Sequence, residues 1–273
     1  MPRRKTMKDT RRVAIVTGSS RGVGAATAKL LAQKNYNVVI NYSKSEAEAL
    51  DVQAACEALG AETLLCRADV ASDADCRRMV REAVDRWGRI DALVNNAATT
   101  KFCAHDNLEG LTQEDFIRIY TTNLVGPYQM IRAAAPHMKA QGRGSVVNVA
   151  STAGVNAVGS CVAYCASKGA LITMTKALAR VLAPEIRVNA VCPGFIQGDW
   201  LRDGMGAENY ERLKGYLEAT NPLRRTGTPE TIAPNILFLL EDAVLTTGEI
   251  LLLDGGTLLG GMVSPSASAV KSK

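Results

Sequence analysis

The sequence is poor in the residues that build metal sites and redox centres. It has only two histidines, His105 and His137, and they stand apart from each other and from the cysteines. The seven cysteines (56, 66, 76, 103, 161, 165 and 192) are odd in number and contain no Cys-x-x-Cys pair. Neither a zinc-ligand spacing nor a disulfide framework is present, so no metal is expected. Cys161 and Cys165, four apart, would share one helical face and read as small buried hydrophobes. Free thiols fit a reducing compartment. No run of 18 apolar residues exists, which excludes a membrane-spanning helix. The basic N-terminus lacks the apolar stretch of a secretory leader, and the final Lys-Ser-Lys is not the Ser-Lys-Leu peroxisomal address. The cytoplasm is the expected location.

The body of the chain also lacks charge of one sign. The formal net charge is +5, but it is carried by the ends. Arg3, Arg4, Lys5, Lys8, Arg11 and Arg12 face only Asp9 at the N-terminus, and Lys271 and Lys273 close the C-terminus. What lies between is near neutral, without the clustered basic face of a nucleic-acid binder. Residues 1–11 and 262–273 are expected to be solvated, disordered tails around a single domain, 12–261.

Within that domain, short β-branched runs alternate with long helical patterns. The strand-like runs are 12–17, 37–41, 62–68, 90–95, 144–150, 185–191 and 249–254. Each is brief, rich in Val, Ile or Leu and free of proline, as parallel strands buried on both faces are. Helical stretches lie near 22–34, 46–59, 73–87, 112–140, 161–182 and 228–241. This alternation predicts a doubly wound sheet of about seven parallel strands with helices on both faces. Such sheets bind ligands at the carboxyl ends of their strands, so the loops there should carry function.

The first strand runs into TGSSRGVG, with Gly18, Gly22 and Gly24 ahead of a helix. Glycines allow the tight turn and the close approach of a phosphate, and the helix N-terminus offers unpaired N–H groups to a pyrophosphate. Gly18, Ser20, Arg21, Gly22, Val23 and Gly24 are therefore candidate dinucleotide contacts. The spacing is Gly-x3-Gly-x-Gly, which also occurs in plain strand-to-helix turns. An NAD site usually places an acid after the second strand. Here the run is Asn41-Tyr42-Ser43-Lys44, with no acid before Glu46. Arg21 and Lys44 without a carboxylate favour a 2′-phosphate, and hence NADP(H) over NAD(H). Tyr42 and Ser43 would border that phosphate.

The fifth strand ends at Ser151. On the following helix Tyr164 and Lys168 are four apart, one turn from each other on one face. A phenol is a poor base at neutral pH, and a neighbouring ammonium should lower its pKa. The phenol could then exchange a proton with a substrate oxygen held by the serine hydroxyl.

These residues resemble the short-chain dehydrogenase/reductases in their classical subgroup, across nearly the whole domain. TGSSRGVG matches the family's Thr-Gly-x3-Gly-x-Gly loop, and Asp69-Val70 the pair that contacts adenine. NNAA (95–98) matches Asn-Asn-Ala-Gly, with Ala98 replacing the glycine and Asn96 and Ala97 at cofactor positions. Asn123 matches an asparagine that supports a water relay to the lysine. Ser151, Tyr164 and Lys168 match the catalytic trio, and LLLDGG (251–256) the closing strand. Pro193-Gly194 matches the turn near the nicotinamide. Gly198 stands where many relatives have a threonine for the carboxamide, which leaves that contact to the backbone of Ile196.

The resemblance implies a Rossmann-like fold and a ketone–alcohol oxidoreductase. Tyr164 and Lys168 would also touch the cofactor, and a homo-oligomer, tetramer or dimer, is implied. Residues 195–227 would form a substrate lid with Gly198, Gly204 and Gly206 as hinges and Phe195, Trp200 and Met205 toward the pocket. Phe102, Cys103 and His105 would line its mouth. Two other functions stay open: reduction of a 3-oxoacyl thioester on an acyl carrier protein, and a catalytically silent NADP-binding regulator or scaffold.

Overall fold

A computed structural model describes residues 11–260. The proposed tails therefore lie outside the described residues, apart from Arg11. Seven strands form one parallel sheet in the order β3-β2-β1-β4-β5-β6-β7. They are β1 (Arg12–Val16), β2 (Tyr36–Tyr42), β3 (Thr63–Arg67), β4 (Ala92–Asn95), β5 (Gly144–Val149), β6 (Ile186–Pro193) and β7 (Ile250–Leu253). The strand order reverses between β1 and β4, and the crevice outside their carboxyl ends is where such a sheet holds a ligand.

Alternation along each strand builds two cores. Ala14 and Val16 of β1, Val38 and Ile40 of β2, and Ala92 and Val94 of β4 point to one face. There they pack on α1 (Gly22–Gln33), α2 (Glu46–Ala58) and α10 (Pro229–Glu241). Ile15, Val39 and Leu93 point to the other face, against α3 (Asp73–Trp87), α5 (Gly126–Ala140) and α7 (Val162–Leu182). The period of two thus assigns neighbouring residues to opposite layers. The central strands are consequently buried on both sides, with Val13 through Val16 fully buried.

The expected single helix over 112–140 is interrupted. α4 (Gln113–Tyr120) passes through a π-wound segment, Thr121–Val125, before α5 begins. There the Gly126 N–H reaches back to the Thr121 carbonyl, five residues earlier. A short helix α6 (Ala153–Asn156) follows Ser151. The segment expected as a lid contains two helices, α8 (Asp199–Met205) and α9 (Ala207–Thr220). Among the described residues no helix is long and apolar enough to cross a membrane, and no group of three metal-ligating side chains exists.

Candidate active site

The glycine loop is built by hydrogen bonds from two neighbouring strands. Gly18 and Gly22 adopt left-handed backbone angles, φ 60° and 57°, which glycine takes without a Cβ penalty. The Gly18 N–H donates to Asn41 Oδ1 at 2.9 Å, and the Ser19 N–H to the Asn41 carbonyl at 2.9 Å. The Asn41 N–H donates in turn to Ser19 Oγ at 2.9 Å. From the other side Asn96 Nδ2 donates to the Thr17 and Gly18 carbonyls, each at 3.0 Å. Thr17 Oγ1 accepts from the Asn96 and Ala97 N–H groups at 2.9 and 3.1 Å. Ser20 lies buried within this loop.

Gly24 leaves no room for a side chain. A Cβ there would sit 2.4 Å from the Gly18 carbonyl oxygen and 2.6 Å from Asn96 Nδ2. Helix α1 therefore starts pressed against the loop, and Arg21 at its N-cap contributes no side-chain cap. The first-turn N–H groups of Gly22, Val23 and Gly24 have no intrahelical acceptor, as at any helix start. A Cβ at exposed Gly22 would meet nothing within 4 Å, so open space borders those donors. This cradle fits a dinucleotide pyrophosphate.

At the end of β2, Tyr42 is buried and its hydroxyl donates to Glu46 Oε1 at 2.9 Å. Burial and this bond raise the Tyr42 pKa. The guanidinium of exposed Arg21 makes no ion pair among the described residues, and Ser43 and Lys44, just after β2, are exposed too. Asp69 is held by local turns: its N–H donates to Asp75 and its Oδ1 accepts from the Ala71 N–H. The Val70 carbonyl accepts from Gln129 Nε2 at 2.9 Å.

The carboxyl edge of β5 brings the expected trio together. Ser151 Oγ accepts from the Ala153 N–H at 3.1 Å and lies 3.5 Å from the Pro193 carbonyl, which it faces as a donor. The Cys161 sulfur accepts from the Tyr164 N–H at 3.4 Å, capping α7 so that Tyr164 falls in its first turn. One turn on, Lys168 Nζ donates to the Val149 carbonyl at 2.7 Å and lies 5.7 Å from the Tyr164 ring centre.

Burial governs both titrating groups. Tyr164 is pushed up to about 12, and its hydrogen bond with Ser151 only partly opposes this. Lys168 is pushed down to about 8 by burial, with the neighbouring Cys192 thiol acting weakly the other way. The expectation that Lys168 lowers the tyrosine pKa is therefore not met in the protein alone. Desolvation of the phenolate outweighs an ammonium that is aimed at Val149.

Asn123 is fully buried in the π-wound segment. Its Oδ1 accepts from the Thr99 N–H at 2.8 Å, while Nδ2 donates to the Thr99 carbonyl at 2.9 Å and to Ser167 Oγ at 3.0 Å. It thereby ties the loop after β4 to α7 between Tyr164 and Lys168. On the last side, the Pro193 carbonyl accepts from the Thr152 N–H, and the Gly194 N–H donates to Leu253. A Cβ at Gly194 would come within 3.0 Å of Asp254. Ile196 bridges to Gly227, closing the base of the segment that follows.

Within that segment Trp200 stands 6.1 Å from Tyr164 and 6.0 Å from Phe102, ring centre to ring centre. Phe195 instead packs on Tyr210 at 5.2 Å. His105 is exposed, and its Nε2 lies 3.1 Å from the Gly159 carbonyl and 4.0 Å from the sulfur of Cys165, the residue after Tyr164. Sequence reasoning missed Asn41, Thr99 and Ser167 as supports. Only Asn41 left a trace, a polar residue following the apolar run Val38–Ile40.

A family profile described as enoyl-(acyl carrier protein) reductase matches residues 18–257. The chain belongs to the short-chain dehydrogenase/reductase family. It is therefore an NAD(P)-dependent oxidoreductase. A relative from Streptomyces violaceoruber, provisionally named ketoacyl reductase 2 of the granaticin polyketide synthase, is 41% identical over 90% of this chain and 96% of its own. A 3-oxoacyl-[acyl-carrier-protein] reductase of Staphylococcus aureus is 36% identical over 89% and 96%. Among solved structures, one from Burkholderia xenovorans, provisionally described as a short-chain dehydrogenase/reductase, superposes with TM-score 0.85 at 40% identity, covering 92% of this chain and 99% of that one. A xylitol dehydrogenase with NAD+ bound gives TM-score 0.83 at 29% identity, covering 92% and 100%.

Proposed function

We propose that the protein is an NADP(H)-dependent ketoreductase that interconverts a ketone and a secondary alcohol, with Tyr164 as general acid and base. The observation that carries this reading is the meeting of Ser151, Tyr164 and Lys168 at the carboxyl edge of β5, beside the loops that follow β1, β4 and β6. The fitted cradle around Gly18, Gly22 and Gly24 supports a bound dinucleotide. NADPH, when bound, supplies the hydride.

The chain's own residues do the rest. The N–H groups at the start of α1 hold the pyrophosphate, and Asp69, Val70, Asn96, Ala97, Pro193, Gly194 and Ile196 border the adenine and nicotinamide ends. The Ser151 hydroxyl donates to the substrate carbonyl oxygen and orients it. Tyr164, which burial keeps protonated at neutral pH, donates its phenolic proton to that oxygen as negative charge develops there. The Lys168 ammonium stabilises the phenolate left behind and holds the nicotinamide ribose. Asn123 supports the route by which a proton returns to Lys168.

Arg21, Ser43 and Lys44 favour the 2′-phosphate of NADP(H), since the one acid at hand, Glu46, is engaged by Tyr42. A 3-oxoacyl thioester is the second reading for the substrate, favoured by the names of the two curated relatives. The chain is also read as a cytoplasmic homo-oligomer. A groove of about 490 Å³ between α5 and α7, lined by Val125, Tyr128 and Met174 among others, offers a face for a second copy.

Tyr164→Phe tests the assignment. Turnover should fall at least a thousandfold while NADPH affinity stays within about threefold, because only the phenolic oxygen carries the proton. Activity within tenfold of wild type corresponds to a loss of only about 1.4 kcal/mol of transition-state stabilisation, too little for an essential acid, and would remove Tyr164 from the role.

A further inference from the structure

Three aromatic rings converge where the substrate carbonyl would meet Tyr164. Trp200, on α8, lies 6.1 Å from the Tyr164 ring with 49° between their planes. It also meets Phe102, from the loop after β4, edge-on at 6.0 Å and 62°. The approach of Phe102 depends on Gly204, one turn beyond Trp200. A Cβ at Gly204 would lie 1.8 Å from the Phe102 ring, so any larger residue would displace that ring. Trp200 remains 44% exposed despite both contacts, so the side chain still has surface to offer a ligand. Val155 and Val158, in the stretch after Ser151, are 51% and 71% exposed.

The rim carries little for an anion to meet. Lys101 is paired with Asp115 at 2.6 Å, and Arg118 donates to Asp115 and to Thr99 Oγ1. Arg202, two residues after Trp200, is paired with Glu211 at 2.9 Å and stacks over Tyr210. A charged substrate group would lose its water without a free cation in return from these elements. A planar ring, by contrast, can take the edge-to-face or offset arrangements in which aromatic pairs gain more than buried area alone.

We infer that Trp200 and Phe102 form an aromatic wall that selects uncharged ketones carrying a planar aromatic ring next to the carbonyl-bearing carbons. Trp200 is the specificity-determining residue and Gly204 the position that lets Phe102 join it. The inference rests on the ketoreductase reading and narrows its substrate class.

The experiment compares 2-tetralone with 2-decalone under NADPH. The two share a bicyclic skeleton, and neither carbonyl is conjugated with a ring, so they differ mainly in planarity and π-surface. An acetoacetyl thioester is the third substrate. Wild type should show kcat/KM about tenfold higher for 2-tetralone, as two added ring contacts would give. Trp200→Ala should erase the preference, mostly through KM. Trp200→Phe should keep most of it, and Phe102→Leu should reduce it by about threefold. Equal kcat/KM for both bicyclic ketones, or a preference that survives Trp200→Ala, overturns the aromatic wall. Turnover of the thioester alone overturns it too, while leaving the reductase intact. NADPH oxidation with none of the three overturns the ketoreductase reading itself, and the wall with it.

Discussion

Lys168→Met exchanges a buried cation for an apolar side chain of similar length, and its effect on stability should reverse with pH. Lys168 is buried and its pKa falls from 10.5 to about 8. Below pH 8 the lysine is charged in both the folded and the unfolded chain, and the folded state bears the cost of desolvating it. Between pH 8 and 10.5 the folded chain has lost the proton while the unfolded chain still holds it. The unfolded state then binds more protons, so stability rises with pH across that window. The fall from 10.5 to about 8 converts, at 1.36 kcal/mol per tenfold change in proton affinity, to about 3 kcal/mol.

Methionine has no such window, but it loses the bond to the Val149 carbonyl, a charge-assisted contact of the kind typically worth about 1.5–3 kcal/mol. The two proteins should therefore be nearly equal in stability at pH 7, where the lost bond and the relieved desolvation offset each other. At pH 10 the wild type should lead by about 2–3 kcal/mol relative to its standing at pH 7. Urea unfolding of both proteins, without cofactor, at the two pH values gives the double difference directly. Titrating groups that do not interact with Lys168 cancel in it. A difference unchanged within about 0.5 kcal/mol between pH 7 and 10 would refute the reasoning, because Lys168 would then titrate alike in the folded and unfolded chains.

Two further outcomes follow from the cofactor cradle. Arg21→Ala should lower NADPH affinity by about tenfold and leave NADH affinity within about twofold, measured by titration at one salt concentration; equal affinities of wild type for the two cofactors would remove Arg21 from the 2′-phosphate. Gly24→Ala should weaken both cofactors by at least about tenfold and destabilise the fold by about 1–3 kcal/mol, since its Cβ would drive into the Gly18 carbonyl and the Ser19 backbone. Unaltered binding by calorimetry would mean that the loop can open without cost.

The sheet was legible because each strand signals itself locally. A run such as NVVIN needs no knowledge of its neighbours to read as buried on both faces, and the observed β2 contains it whole. The trio was legible for a related reason: Tyr164 and Lys168 are placed by helical periodicity, and Ser151 by the end of a strand. What stayed hidden depends on contacts between distant segments. Nothing near Asn41 announces that its side chain will hold Gly18, or that Glu46 will fold back onto Tyr42. The reach of Trp200 to Tyr164 needs the position of α8, which no local pattern supplies. The raised pKa of Tyr164 is not legible either, because sequence spacing shows a neighbouring ammonium but not the depth of burial around a phenol. The break at Thr121–Val125 is also invisible, because weak helix formers such as Thr and Asn do not distinguish an α-wound from a π-wound turn.

That break ties the winding of one helix to the shape of the substrate side. Each residue of an α-helix turns the chain by about 100° and advances it by about 1.5 Å. Winding Thr121–Val125 as regular α-helix, with every residue kept, would swing α4 by about that angle relative to α5. Asn123 could no longer face Thr99 and Ser167 together, and Arg118 would leave Thr99 and Thr100. The loop bearing Phe102 would lose two of its moorings in the same step. In this segment the smoothest helix and the working active site are different structures, and the chain has settled on the second.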